Sequence, residues 1–256
     1  MADAVEYEET ITAAEMAMSY FTPLTGTSPQ CQEGQAKYIE NAKPGMIYDN
    51  VTQECIEGRT NGITIVPCFQ ERKFVEWIHR DEGGGYVAEH ALDSGIDKTA
   101  VKNDQGQQIL PNGHQLVETA YLYCIIMTEG SPIPNWGVIP FKSTQLSRYR
   151  QLNTYKKKAV EVVNGQIINL PSFAYKYKFT TVPESNAKGS WYGWKITPEG
   201  LIAPIEELTK SPVYQAAKAF ASAVKSGAVQ ASSSVLSEDS EPSAPVETVS
   251  EGDVPF

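Results

Sequence analysis

Residues 116–127, LVETAYLYCIIM, combine β-branched, aromatic and aliphatic side chains with few turn formers. This composition is typical of a β-strand, so we predict a long, largely buried strand here. Residues 62–69 (GITIVPCF), 73–79 and 136–141 have the same bias. Pro67 lacks an amide donor and therefore predicts a strand edge or a bulge.

The rest of the chain adds further strands, two helices and a polar insertion. The stretch 13–21 looks partly helical, and 91–115 is rich in turn-forming residues. Several short strands with one helix inserted late predict a mainly β fold: an oligonucleotide-binding (OB) barrel, enlarged by inserted and C-terminal helices. A two-sheet sandwich is the alternative. We predict further strands over 46–48, 167–168, 174–181 and 191–196, and helices over 143–158 and 204–225.

The 256 residues divide into one large domain and a tail. Residues 1–227 contain all the predicted strands and helices, with 1–12 expected to form a loose acidic arm. From 228 to 256, Ser, Glu, Pro, Ala and Val dominate, and the only aromatic residue is the last one. Such a segment buries too little apolar surface to offset its chain entropy, so we predict that it is disordered.

Charge is distributed unevenly along the chain. The net charge is −10, yet residues 142–195 contain 10 basic and 2 acidic side chains, which gives +8. Residues 228–256 contain 6 acidic side chains and no basic one, which gives −6. Because nucleic acids respond to the local field of a patch, the overall acidity does not exclude binding through the basic segment.

The basic segment is also rich in aromatic residues. Single-stranded nucleic acid binding needs both, since cations follow the phosphates and aromatic faces stack on the bases. The period-two alternation of YKYKF at 175–179 places the tyrosines on one face of a strand and the lysines on the other; aromatics so placed also suit a barrel core. Our candidate DNA-binding residues are Trp77, Lys142, Arg148, Arg150, Tyr155, Lys156, Lys157, Tyr175, Lys176, Tyr177, Lys178, Trp191 and Trp194.

Catalytic and metal-binding patterns are weak by comparison. The four cysteines are too far apart for a zinc knuckle, which favours isolated buried thiols. Asp81, Glu82 and Glu89 are the acids that would serve a metal-dependent nuclease, although loop acids beside glycines are usually solvated. We therefore expect no enzymatic activity, no cofactor and no bound metal, and keep the nuclease as an alternative.

The C-terminal tip is more specific. The chain ends Glu251-Gly252-Asp253-Val254-Pro255-Phe256 after an acidic, low-complexity segment. This resembles the tip of bacterial single-stranded DNA-binding proteins, which ends Asp-Ile-Pro-Phe after an acidic linker. The resemblance implies a tip that docks on replication and repair proteins, its final ring in an apolar pocket and its carboxylates beside basic residues. The implied partner-binding residues are Asp253, Val254, Pro255 and Phe256.

The upstream chain is similar to single-stranded DNA-binding proteins of tailed bacteriophages. The stretches that suggest this are Val66-Pro67-Cys68, Arg80 to Gly85 (RDEGGG), Ser143 to Leu146 (STQL), and Thr181-Val182-Pro183 through Trp194. The resemblance implies an enlarged OB barrel that binds and protects single-stranded DNA during phage replication and recombination. A virion structural or assembly protein is the alternative, and the oligomeric state stays open, with a homo-oligomer among the options.

Two further expectations follow from the sequence. No stretch approaches the ~20 apolar residues of a membrane span, and the acidic start MADAVEYEET lacks the basic region of a secretory signal, so we expect a cytoplasmic protein. The resemblance to phage proteins implies that this is the cytoplasm of the infected host. Because the tail carries −6 and the basic segment +8 on one chain, the tail is expected to compete with DNA for the basic segment.

Overall fold

The computed structural model describes residues 17–79, 82–127, 135–187 and 189–237. These residues are mainly β, with a few helices. The strands are β1 (Ser19–Pro23), β2 (Ile47–Asp49), β3 (Cys55–Ile56), β4 (Ile63–Trp77), β5 (Tyr86–Ala91), β6 (Val101–Lys102), β7 (Gln108–Ile109), β8 (Gln115–Met127), β9 (Asn135–Lys142), β10 (Glu161–Val163), β11 (Gln166–Ile168), β12 (Tyr175–Asn186) and β13 (Gly189–Leu201). The α-helices are α1 (Leu146–Lys158), α2 (Ile205–Leu208), α3 (Pro212–Lys225) and α4 (Ser234–Ser237).

One sheet of 11 strands dominates the described part of the chain. Its order is β13-β12-β4-β8-β9-β1-β2-β3, with β5 paired to β4 and the β6–β7 hairpin paired to β8. Neighbouring strands are antiparallel except β1 and β9, which are parallel. The long strands twist and curl this sheet into a half-barrel. Strands β10 and β11 form a separate two-stranded sheet.

Strand β8 confirms the prediction of a long buried strand and shows why both of its faces are apolar. Ala120, Leu122 and alternate residues after them belong to the core inside the curled sheet. Tyr121 and Tyr123, which point the other way, belong to a second core on the outer face. Because side chains alternate along a strand, a run buried on both faces has to be apolar throughout.

Each core is covered by one of the two longer helices. Tyr149 and Leu152 of α1 pack into the inner core. Phe220 and Ala217 of α3 pack on the outer core, where the Phe220 ring stacks on Trp136 at a centroid distance of 5.6 Å. Part of each side of the sheet is therefore covered by a helix.

Strand β4 joins two of the predicted strands into one. It continues for 15 residues because the pairing with β8 shifts register between Pro67 and Phe69 rather than stopping. A proline at a bulge costs no ladder hydrogen bond, so the prediction of a bulge at Pro67 is confirmed.

Two predictions near the ends of the domain are wrong. Residues 19–23 are not helical: they form β1, whose Tyr20 and Phe21 are buried between β9 and β2. The segment after 227 is ordered at its start, since Val229 and Ala231 are 6% and 1% exposed on the outer core. The predicted arm at 1–12 and the rest of the tail, from 238, lie outside the described residues. No helix in the described ranges is long and apolar enough to cross a membrane.

Candidate nucleic-acid interface

Helix α1 turns a basic face to solvent. Its buried face carries Tyr149 and Leu152, which fixes the rotation of the helix on the half-barrel. Arg150 and Lys157 lie seven residues apart on the opposite face and are exposed, as is Lys158 in the last turn. Cations in the last turn also interact favourably with the helix dipole. We call Arg150, Lys157 and Lys158 the basic ridge.

Strand β12 has the predicted alternation, but its aromatic face is core. Tyr175 and Tyr177 are 5% and 1% exposed, whereas Lys176 and Lys178 on the other face are partly exposed. Trp194, on the neighbouring strand β13, is 0% exposed and lies edge-on to Phe179 at 5.4 Å. The candidates Tyr175, Tyr177 and Trp194 therefore belong to the core, and their ring faces are not available for stacking on bases.

A groove lies where the end of α1 meets β12 and β13. Its volume is about 290 Å³. Tyr155 of α1 is half-buried there, and its hydroxyl accepts a 2.8 Å hydrogen bond from Gln151 Nε2. We call this feature the tyrosine–lysine groove; it is lined by Tyr155, Lys158, Ala159, Tyr175, Lys176, Tyr177, Pro198 and Gly200.

The accessible lining of the groove is mainly apolar, and two lysines are among the residues that line it. Burial raises the pKa of Tyr177 to about 12, and burial together with the nearby Glu161 carboxylate raises the pKa of Tyr175. Both hydroxyls therefore keep their protons at neutral pH. Lys158 and Lys176 flank them, so the groove offers a cationic rim for an anion and the half-buried ring of Tyr155 for a planar group.

Arg148 and Trp191 lie together, but their polar groups are bound to Glu184 of β12. Arg148 Nη2 is 2.6 Å from Glu184 Oε1, and Trp191 Nε1 donates to Glu184 Oε2 at 2.9 Å. Burial alone raises the pKa of Glu184, but the hydrogen bonds from Arg148, Trp191 and Gln145 outweigh it and hold the pKa below its usual value. Arg148 therefore joins α1 to the β12–β13 hairpin, and Trp191 makes its hydrogen bond within the hairpin, so the polar groups of both candidates are already bound within the chain.

Lys156 points inward rather than toward solvent. Its Nζ donates to Gln70 Oε1 of β4 at 2.9 Å. Burial lowers the pKa of Lys156 to about 8, with a smaller opposing contribution from Cys68. The prediction that Lys156 forms part of an exposed cationic surface is therefore wrong, although Lys157 beside it is exposed.

Trp77 and Lys142 form a separate patch. The Lys142 ammonium lies 5.6 Å from the centroid of the Trp77 ring, and Tyr86 meets that ring edge-on at 6.0 Å. Trp77 packs against the outer core, whereas α1 packs against the inner one. The structure thus places this pair on the opposite side of the sheet from the basic ridge.

Two cations outside our candidate residues make contacts that the sequence does not indicate. Lys158 was not a candidate, although it ends the same basic run as Lys156 and Lys157; the position of the helix end brings it into the groove. Arg59 lies far from the basic segment in sequence, yet it stacks over the Tyr192 ring at 5.0 Å and hydrogen-bonds to its hydroxyl. No charge pattern along the chain indicates the contact between Arg59 and Tyr192.

The acids proposed for a nuclease are not gathered in the described residues. Glu89 lies in β5, where its carboxylate accepts hydrogen bonds from Lys73 Nζ (2.9 Å) and the Tyr121 hydroxyl (2.6 Å). Among the described residues there is no group of three or more His, Cys, Asp or Glu side chains arranged to hold a metal ion. All four cysteines are free thiols, Cys68 and Cys124 buried and Cys31 and Cys55 partly exposed. Asp81 and the tip residues 253–256 lie outside the described residues.

Comparison with known proteins places the chain in a family. No match was found among curated proteins, and none among solved structures. A family model described as Pam3 phage gp34-like protein matches residues 1–230, which is most of the 256-residue chain. The matched range includes the half-barrel, α1 and α3 and stops before the acidic tail. The chain belongs to the family of Pam3 phage gp34-like proteins.

Proposed function

We propose that this protein binds and protects single-stranded DNA during phage DNA replication and recombination, without catalysis, in the cytoplasm of the infected host. The observation that carries the proposal is the basic ridge on α1 leading into the tyrosine–lysine groove, in a chain whose net charge is −10. A cluster of exposed cations next to a half-buried tyrosine is the combination that single strands require.

In this proposal the half-barrel is an enlarged OB barrel. A curled, mostly antiparallel sheet with a helix over its inner core supports this assignment. The polar arm around β6 and β7 and the separate β10–β11 hairpin are then insertions into the barrel. OB folds bind single-stranded nucleic acid on an exposed face bordered by loops. The basic ridge and the tyrosine–lysine groove, where the end of α1 meets β12 and β13, would correspond to that face.

Phosphates would follow Arg150, Lys157 and Lys158 along the ridge, and a base would stack on the accessible part of Tyr155. Each stacked base contributes roughly 1–3 kcal/mol in such sites. Because Tyr175 and Tyr177 are buried, and the Tyr175 hydroxyl with them, these two residues would form the wall of the groove rather than stack on bases. Most of the affinity would then be electrostatic and would fall with salt.

The tail completes the proposal. Asp253, Val254, Pro255 and Phe256 would recruit replication or recombination proteins, since Phe256 supplies both an apolar ring and the terminal carboxylate. Pro255 would limit the freedom that binding has to freeze.

The test is an anisotropy titration of a labelled ~30-nucleotide single strand and of its duplex, at low and moderate salt. We expect preference for the single strand, weaker binding with salt, and a loss of about 10-fold or more on replacing Arg150, Lys157 and Lys158 by Ala. The matched control replaces three exposed lysines elsewhere, Lys98, Lys102 and Lys218, by Ala. Equal losses in both variants, or no binding even without the tail, would reject the proposal and favour a virion assembly protein.

A further inference from the structure

The β10–β11 hairpin stands apart from the main sheet. It follows α1 directly, and within the described residues its two strands pair only with each other. Val162 lies opposite Ile167 in the antiparallel register. Two-stranded ribbons are marginally stable alone and gain stability when one face is covered.

The side of this hairpin that faces away from the protein is aliphatic. Val160, Val162 and Ile167 share one face by alternation and register, and their side chains are 43%, 66% and 70% exposed. The other face includes Glu161, beside Tyr175, and Ile168, both less exposed. An antiparallel ribbon that packs one face on a protein normally turns polar side chains to water. Three adjacent β-branched aliphatics in that position indicate a surface that another macromolecule covers.

The chemistry of the face favours a second copy of this chain. Aliphatic side chains neither stack on bases nor neutralise phosphates, so nucleic acid is a poor fit. Residues 162–175 carry no charged side chain, whereas the whole chain carries −10. The face formed by Val160, Val162 and Ile167 is itself uncharged, so two copies can pack it together without placing like charges inside the contact. An apolar patch is also complementary to itself across a two-fold axis, which is the commonest symmetry of homo-oligomers.

We infer that the outward face of the β10–β11 hairpin is a homodimer interface, in which Val160, Val162 and Ile167 of two copies pack together. Ala159, next to Val160, lines the tyrosine–lysine groove. A dimer formed here would therefore hold two grooves close to one interface. A single-stranded DNA long enough to enter both grooves would bind more tightly than a short one. This last consequence rests on the proposed function; the dimer itself does not.

The experiment is sedimentation velocity on the full chain from about 1 to 200 µM, because an interface built on one small ribbon predicts weak association. We expect the mass to rise from that of the 28.1 kDa chain toward twice that value. Ile167→Asp should raise the midpoint concentration by about 10-fold or more, since it places a charge in an apolar contact. Val101→Asp is the matched control, because Val101 is 71% exposed on a different hairpin. A wild-type chain that stays monomeric, or an Ile167→Asp chain that associates like wild type, would overturn the inference.

A second titration separates this inference from the proposed function. A ~10-nucleotide strand fits one groove, so below the dimer midpoint wild type and Ile167→Asp should bind it equally. A wild-type dimer that binds no strand would reject the proposed function and leave the interface supported. Loss of short-strand binding in Ile167→Asp, with no change in mass, would assign the face to nucleic acid and overturn the dimer.

Discussion

Lys156 shows at the scale of one residue why a basic run is not a basic surface. Residues 156–158 are three consecutive lysines, but successive helix positions are rotated by about 100°. Lys157 and Lys158 therefore face solvent, while Lys156 faces β4, where it meets Gln70. The charge count of the segment overstates the cations available to a phosphate backbone, because one of them is inside.

Replacing Lys156 by Met should stabilise the protein at pH 7. The folded-state pKa of about 8 lies below the ordinary value of 10.5, so the folded state binds this proton less tightly than the unfolded chain does. The charged form thus destabilises the fold at pH 7, and the penalty disappears as pH rises from 8 to 10.5. We expect Lys156→Met to gain about 1–2 kcal/mol at pH 7, reduced by the donor that Gln70 loses.

Urea unfolding at pH 7 and near pH 10.5 measures this gain and its decline. Lys157→Met, at the exposed neighbouring position, should change stability little at either pH. A Lys156→Met variant less stable than wild type at pH 7 would show that the Gln70 contact outweighs the desolvation. DNA affinity should fall in Lys157→Met and stay unchanged in Lys156→Met.

At the scale of elements, the C-terminal strap, residues 229–233, binds the outer face of the sheet through backbone contacts. Tyr123 accepts from the Ala231 amide at 2.7 Å, and Tyr20 accepts from the Ser232 amide at 2.7 Å. The Ser233 amide donates to Glu89 at 2.7 Å. These three acceptors lie on β8, β1 and β5, so the strap joins strands that are distant in the chain.

The strap should loosen when Tyr123 is replaced by Phe. The Ala231 amide, in a residue that is 1% exposed, then has no hydroxyl to receive its hydrogen bond. An unsatisfied buried donor costs about 1–3 kcal/mol, which corresponds to roughly 10-fold faster hydrogen exchange or more at 231–233. Hydrogen-exchange mass spectrometry measures the exchange rate of these amides. Tyr38→Phe is the control, because Tyr38 is 41% exposed. Unchanged protection of the strap in Tyr123→Phe would show that the other contacts of the strap hold it without this hydrogen bond.

At the scale of the whole molecule, charge separates a basic ridge from an acidic tail. All 6 acids of the final segment lie between 238 and 256, beyond the strap. The strap therefore holds residues 229–233, just before the acidic residues, on the outer face of the sheet beside β5. The tail is thus not free from residue 228. A deletion that tests the tail has to begin at 238, since one beginning at 228 also removes buried residues.

Deleting residues 238–256 should raise affinity for single strands at low salt, if tail and DNA compete for the basic ridge. The attraction is electrostatic, so the difference from the full chain should shrink as salt rises through the range where the Debye length falls below about 10 Å. Anisotropy titrations of both chains at several salt concentrations measure it. Equal affinities at low salt would remove the competition hypothesis. A chain with the six acids replaced by Asn or Gln controls for tail length.

Much of the fold could be predicted because strands carry local signals. Residues 116–127 are apolar on both faces, and Pro67 indicated a bulge. Residues 19–23 could not be identified, because β1 is short and its pairing with β9 joins segments more than 100 residues apart. The strap was missed for a related reason: its Val, Ala and Ser have a disordered composition, and they are ordered by tyrosines from other strands.

The sequence by itself determined the β character of this protein, the two faces of β12 and the division of charge between segment and tail, since these depend on neighbours along the chain. Only the tertiary structure decided which of the candidates can meet a ligand. Tyr177 is buried in the core that α1 covers, and Lys156 points toward β4. Arg148 is bound to Glu184, and Lys158 lies in the groove with Tyr155 at the end of the helix. Exposure depends on what covers each face, and that is set by contacts between distant segments.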